Sequence, residues 1–119
     1  MRQNFRKQIG GYGENIVAGY LQAKGYSILE TNYVQPNIGE IDIVAKQGDY
    51  IVFVEVKYRR NLRFGRPAEA ITKQKIKNLR NCAEYYLYEK VNSNALCRFD
   101  VIEVFGKEKV EINHIVDAF

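Results

Sequence analysis

GEIDIVAKQGDYIVFVEVKYRR, residues 39–60, decides how this chain folds. Two runs rich in Ile, Val and aromatics flank QGD, whose Gly and Asp are turn residues, so the stretch reads as a hairpin of strands 40–46 and 50–58. Alternation along the second strand places Ile51, Phe53, Glu55 and Lys57 on one face and Val52, Val54, Val56 and Tyr58 on the other. The valine face is core. A turn that pairs Lys46 with Asp49 sets Asp42 opposite Phe53 and diagonal to Glu55, on the face of Lys57; diagonal neighbours lie about 7–8 Å apart. Two readings of this trio stay open. One is a cross-strand salt bridge on a solvated sheet face, which antiparallel sheets commonly carry. In the other, the carboxylates converge on Mg²⁺, a hard cation held by one or two carboxylates plus waters and phosphate oxygens, with a lysine beside it to orient or deprotonate a water.

Working outward, residues 13–24 place Val17, Ala18 and Leu21 on one helical face, and Gly25 follows as a stop. Glu14 precedes those residues by three, four and seven positions and shares their inward face. It reads either as a first-turn carboxylate favoured by the helix dipole or as a further acid aimed at the hairpin. A strand over 26–33 connects this helix to the hairpin. After NLRFGRP, residues 68–89 carry Ile76, Leu79, Ala83 and Tyr86 at helical intervals, and strands over 97–105 and 109–116 close the chain. The order of one helix, three strands, one helix and two strands predicts a single α/β (α+β) domain spanning residues 1–119. Its mixed sheet of about five strands is flanked by helices.

The totals agree with a soluble globular protein of one domain. At 119 residues, 46% hydrophobic and 27% charged, the chain is neither disordered nor fibrous and is long enough to bury one core. Lys and Arg number 18 against 14 Asp and Glu, a net charge of +4 that permits a polyanionic partner. No apolar run approaches the roughly 20 residues of a membrane span, and MRQNFRKQIGGYG lacks the apolar stretch of a secretion signal. The expected location is therefore the cytoplasm, with no membrane partner. Cys82 and Cys97 have no zinc-ligand spacing with each other or with His114, and read as reduced packing residues. His114 is given no role.

Asp42, followed after a hairpin turn by Glu55-Val56-Lys57, resembles the PD-(D/E)XK nuclease motif, with Ile41 where that motif carries proline. GYGENIVAGYLQAKGY, GEIDIVA, VFVEVKYRR, RFGRPAEAI and RFDVIEV resemble, in order, the motifs of the bacterial YraN family, over about residues 11–104. The same elements are similar to archaeal Holliday junction resolvases. The resemblance implies a restriction endonuclease-like three-layer fold and a metal-dependent nuclease acting on DNA, branched or repair-associated, with Mg²⁺ or Mn²⁺ as cofactor. It assigns Asp42, Glu55, the Val56 carbonyl and Glu14 to the metal, and Lys57 to the water and the developing charge. Resolvase-like proteins pair to cut two strands, so it also implies a homodimer.

For the nucleic acid itself, Arg59, Arg60, Arg63 and Arg66 crowd the loop after the hairpin, and Lys73 and Lys77 share a helix face with Arg80. Both groups suit backbone phosphates, although an exposed helical face carries lysines routinely. Gln74 and Lys75 are expected to offer a polar group to the site, as resolvase-like nucleases do from this helix. Tyr85, Tyr86 and Tyr88 read as packing or subunit contacts. Two rival readings are a nucleic-acid-binding module of the same fold without catalysis, and an adaptor that binds a protein through its tyrosine-bearing helix.

Overall fold

The computed structural model describes residues 2–59, 71–91, 95–106 and 109–119. Its elements run α1 (Arg2–Ala23), β1 (Ser27–Gln35), β2 (Gly39–Gln47), β3 (Tyr50–Arg59), α2 (Lys73–Tyr86), one π-helical turn (Leu87–Val91), β4 (Leu96–Phe105) and β5 (Glu111–Ile115). The five strands form one sheet in the order β1-β2-β3-β4-β5. Every neighbouring pair is antiparallel except β3 and β4, which are parallel and joined through α2. A parallel pair needs such a crossover, because a tight turn cannot return the chain to the same end of the sheet.

Each face of the sheet carries a helix. Val17 and Leu21 of α1 pack on Ile43, Ala45, Val52, Val54, Ile102 and Val104, while Leu79, Cys82, Ala83 and Tyr86 of α2 pack on Val44, Ile51 and Phe53. This is the three-layer α+β arrangement expected of a restriction endonuclease-like protein. Residues 51–55 are buried without interruption, as a central strand covered on both sides must be. The valine face is core as expected, and α2 also closes over the Ile51, Phe53 and Glu55 face, so the reading of that face as solvated does not hold. Phe53 meets Tyr86 edge-on at 5.9 Å and stacks on Phe99 at 5.3 Å, which seats α2 against the middle of β3 and β4.

Several boundaries differ from those read in the sequence. The backbone of α1 begins at Arg2 rather than at residue 13, despite Gly10, Gly11 and Gly13. It ends as expected before Gly25, whose φ of +93° suits glycine. Helix α2 starts at Lys73, behind a Thr72 cap whose hydroxyl accepts from the Lys75 N–H at 3.1 Å, rather than at residue 68. The hairpin turn is Gly48-Asp49, with Gln47 paired to Tyr50, not Lys46 to Asp49. Cys82 is buried as expected, whereas Cys97 is exposed near the start of β4 beside exposed Leu96, so it is not a packing residue. Tyr86 is core, while Tyr85 and Tyr88 face solvent. Among the described residues, no helix is long and apolar enough to cross a membrane.

Candidate functional site

The register of β2 on β3 carries Ile43 opposite Val54, and one step further brings Asp42 beside Glu55. The sequence reading had Asp42 opposite Phe53; the true turn slides the pairing by two residues, which keeps every side chain on its face and makes the two acids direct neighbours. Asp42 Oδ2 accepts from the Val56 N–H at 2.8 Å, locking the first carboxylate against the strand that carries the second. Glu55 is 6% exposed. Its Oε1 lies 3.6 Å from Lys57 Nζ and 3.8 Å from Lys75 Nζ. Its Oε2 is buried and has no hydrogen-bond partner among the described residues.

Helix α2 delivers Lys75 because that residue lies on the helix's inward stripe, four, seven and eight residues ahead of Leu79, Cys82 and Ala83. Close contact fixes the helix over the mouth of β2. A side chain on Gly39 would stand 3.4 Å from the Asn78 Cβ, and the Cys82 thiol reaches the Gly39 carbonyl at 3.5 Å. Helix α1 approaches from the other side. A Cβ on Gly13 would lie 3.2 Å from the Tyr58 Cβ of β3, so the missing side chain lets the helix come near and brings Glu14 into the same field.

The electrostatics follow from crowding acids away from water. Burial pushes the Glu55 carboxyl up to about 7, the charge of Asp42 adds to this, and Lys75 and Lys57 pull the other way. Asp42 is raised mainly by burial, against the Val56 N–H that favours its charge. Glu14 is raised by burial and then by Asp42, and Asn32 opposes through a hydrogen bond. Such carboxyls hold protons that a cation would displace. Among the described residues no three His, Cys, Asp or Glu side chains converge as a ready-made metal cage. A cation here would rest on the Asp42–Glu55 pair with waters filling its shell, the donor set Mg²⁺ accepts, and the unpartnered buried Oε2 is an oxygen such an ion would satisfy.

The residues expected to meet nucleic acid divide. Lys75 joins the carboxylates, whereas Gln74 gives its amide to Asn78 at 3.0 Å. Lys73, Lys77 and Arg80 are exposed on one outer stripe of α2. Arg60, Arg63 and Arg66 lie outside the described residues, as does the Arg59 side chain.

A second polar cluster escaped the sequence reading. Asp100 of β4, fully buried, binds Arg98 Nε and an Arg98 terminal nitrogen at 2.9 Å, His114 Nε2 at 2.7 Å and the Asp117 N–H at 3.0 Å. Arg98 also reaches the Tyr26 hydroxyl, and Tyr20 bridges His114 Nδ1 to Lys24. Near Lys57, Glu103 is buried on the neighbouring position of β4 and accepts from the Asn113 amide. The signal lay in RFDVIEVF, where Asp100 and Glu103 interrupt an apolar strand just as Glu55 and Lys57 do.

Residues 13–104 match the model of an uncharacterised protein family, UPF0102. A UPF0102 protein of Clostridioides difficile (strain 630) is 49% identical over 113 residues, covering 95% of this chain and 97% of the relative. One from Caldicellulosiruptor saccharolyticus is 44% identical over 117 residues, 96% and 98% of the two chains. Another, from Clostridium perfringens (strain 13 / Type A), is 42% identical over 120 residues, 98% of each.

Proposed function

The chain belongs to the uncharacterised protein family UPF0102, so no reaction comes with the membership, and we propose from the site itself that the protein is a metal-dependent nuclease hydrolysing phosphodiester bonds in DNA. The observation that carries this reading is the buried Glu55 carboxylate, one oxygen unpartnered, set beside Asp42 and within 4 Å of two lysines. The two lysines meet Oε1, and the open Oε2 beside Asp42 is an acceptor that a bound cation would satisfy.

Asp42, Glu55 and the Val56 carbonyl would hold Mg²⁺ or Mn²⁺, with Glu14 tuning the charge of the pair. When bound, the ion supplies a Lewis acid for a phosphate oxygen and lowers the pKa of water. Glu55 would hold the ion as its carboxylate, having released the proton that burial otherwise keeps on it up to a pH of about 7. Lys57 orients the attacking water and offsets the negative charge that grows on the phosphorane-like transition state. Lys75 reaches in from α2 to within 3.8 Å of the same carboxylate and would share in holding the phosphate. The outward stripe of Lys73, Lys77 and Arg80 suits flanking phosphates of the strand.

The test is a panel of labelled single-stranded, duplex, flapped and four-way-junction DNA incubated with Mg²⁺, Mn²⁺ or EDTA. Wild type is expected to cut at least one member only with metal, and Glu55→Ala and Lys57→Ala to lose more than a hundredfold in rate. Salt-sensitive binding without cutting would replace the enzyme by a non-catalytic binding module; cleavage by Glu55→Ala would remove the assigned site.

A further inference from the structure

A cavity of about 220 Å³ opens on the α2 face of the sheet, lined by Ile71, Ile76, Val101, Ile115, Ala118 and Phe119. Among the described residues, every lining side chain is apolar. Drug-sized pockets run to about 300–1,000 Å³, so this one suits a single flat ring system. Its position is fixed by the sheet register: Val101 is the β4 partner of Glu55, and Ile115 the β5 partner of Val101. Adjacent strands are about 4.8 Å apart, so the cavity begins one strand from the candidate carboxylates.

Two features of its walls say what belongs there. Phe119 stacks on Phe99 at 5.4 Å and 28°, and the Ala118 N–H bonds the Phe99 carbonyl at 2.7 Å, which holds an aromatic ring at the cavity wall. On the α2 side, Ile76 lies inside the exposed stripe of Lys73, Lys77 and Arg80, three, one and four residues away from it. An apolar slot with a fixed ring, bordered by cations and one strand from a phosphate site, matches a unit that is flat and apolar at one end and anionic at the other.

We infer that this cavity is a subsite for one unpaired nucleobase of the bound strand, next to the phosphate held at Asp42 and Glu55. The inference rests on the nuclease reading for that phosphate. The base stacks against Phe119 between Ile76 and Ile115, and its flanking phosphates meet the lysine stripe. Stacking of this kind tolerates any base, since each has a π-face. Substrates would then be strands with at least one unstacked nucleotide: single strands, flaps or junction arms.

The test compares binding of a fluorescein-labelled DNA hexanucleotide with binding of the same sugar-phosphate hexamer lacking all bases, by anisotropy in EDTA at low salt, alongside Mn²⁺-dependent cleavage of a longer single strand. Wild type is expected to prefer the intact hexamer by about tenfold or more. Phe119→Ala should lose most of that preference while binding the base-free hexamer as before, and Phe119→Trp should keep it. Thermal melts of both variants check that each is folded. Equal binding of the two hexamers by wild type, or an undiminished preference in folded Phe119→Ala, overturns the subsite even where cleavage persists. Loss of the preference in Phe119→Ala with no cleavage by wild type keeps the subsite and removes the chemistry. If neither hexamer binds and nothing is cut, both readings fall together.

Discussion

Glu55 in the folded chain keeps its proton up to a pH of about 7, against 4.5 for an ordinary glutamate, chiefly because it is buried. Protons are therefore bound more tightly by the folded form, and between those two pH values stability falls as pH rises, by up to ~1.4 kcal/mol per pH unit. Without divalent metal, Glu55→Gln should unfold at a higher temperature than wild type at pH 8, by an amount worth about 1–3 kcal/mol, with the difference vanishing near pH 4.5. Adding Mg²⁺ at pH 8 should raise the melting temperature of wild type and leave Glu55→Gln unmoved. Lys75 pulls the same carboxyl down, so Lys75→Ala should lift the Glu55 titration seen by NMR. Asp42, Glu55 and Lys57 were legible because charge inside an apolar strand is conspicuous. Their direct adjacency was not. QGD can turn at Gln47-Gly48 or at Gly48-Asp49, and those registers differ by two residues, which leaves every side chain on the same face. Alternation cannot choose between them; the backbone turns with Gly48 at a φ of +57°.

At the scale of elements, the cap on α2 governs where Lys75 begins its turn. Thr72→Ala removes the acceptor for the Lys75 N–H and should cost about 1 kcal/mol, a fall in melting temperature of several degrees by calorimetry. Under the nuclease reading it should also slow cleavage severalfold, since the first turn that carries Lys75 frays. The strands and the face of α2 were readable from period alone, Leu79, Ala83 and Tyr86 falling where burial puts them. The start of α1 was not. Glycines cost a helix about 1 kcal/mol each, so Gly10, Gly11 and Gly13 argue for a later start, yet the backbone runs on through them from Arg2. Gly13 is retained at the close approach to Tyr58, where helix propensity is not what matters.

Across the described residues, two charged clusters lie on opposite faces of one sheet, with contrasting character. Around Glu55 an oxygen is left open; around Asp100 the side chains of Arg98 and His114 and the N–H of Asp117 close on a single carboxylate. Burial acts to raise the Asp100 carboxyl, but its hydrogen bonds outweigh burial and hold it below its ordinary value. The stability it contributes is therefore full above pH 3.8 and lost as pH falls through its lower folded value. Asp100→Ala strands Arg98 and His114 and should cost about 3–5 kcal/mol in urea unfolding, without changing the Mg²⁺-induced gain in melting temperature of whatever folded protein remains. In the sequence Asp100 stood out inside an apolar strand, but its partners did not, because Arg98, Asp100 and His114 converge only once β5 lies against β4. The parallel pairing of β3 with β4 has a temporal consequence. Asp42 and Glu55 belong to a local hairpin that can zip early, whereas Lys75 rides on a crossover that waits for distant strands to meet, a slower event. A nascent chain would thus own its acids before its lysine from α2, and the proposed site would be complete last.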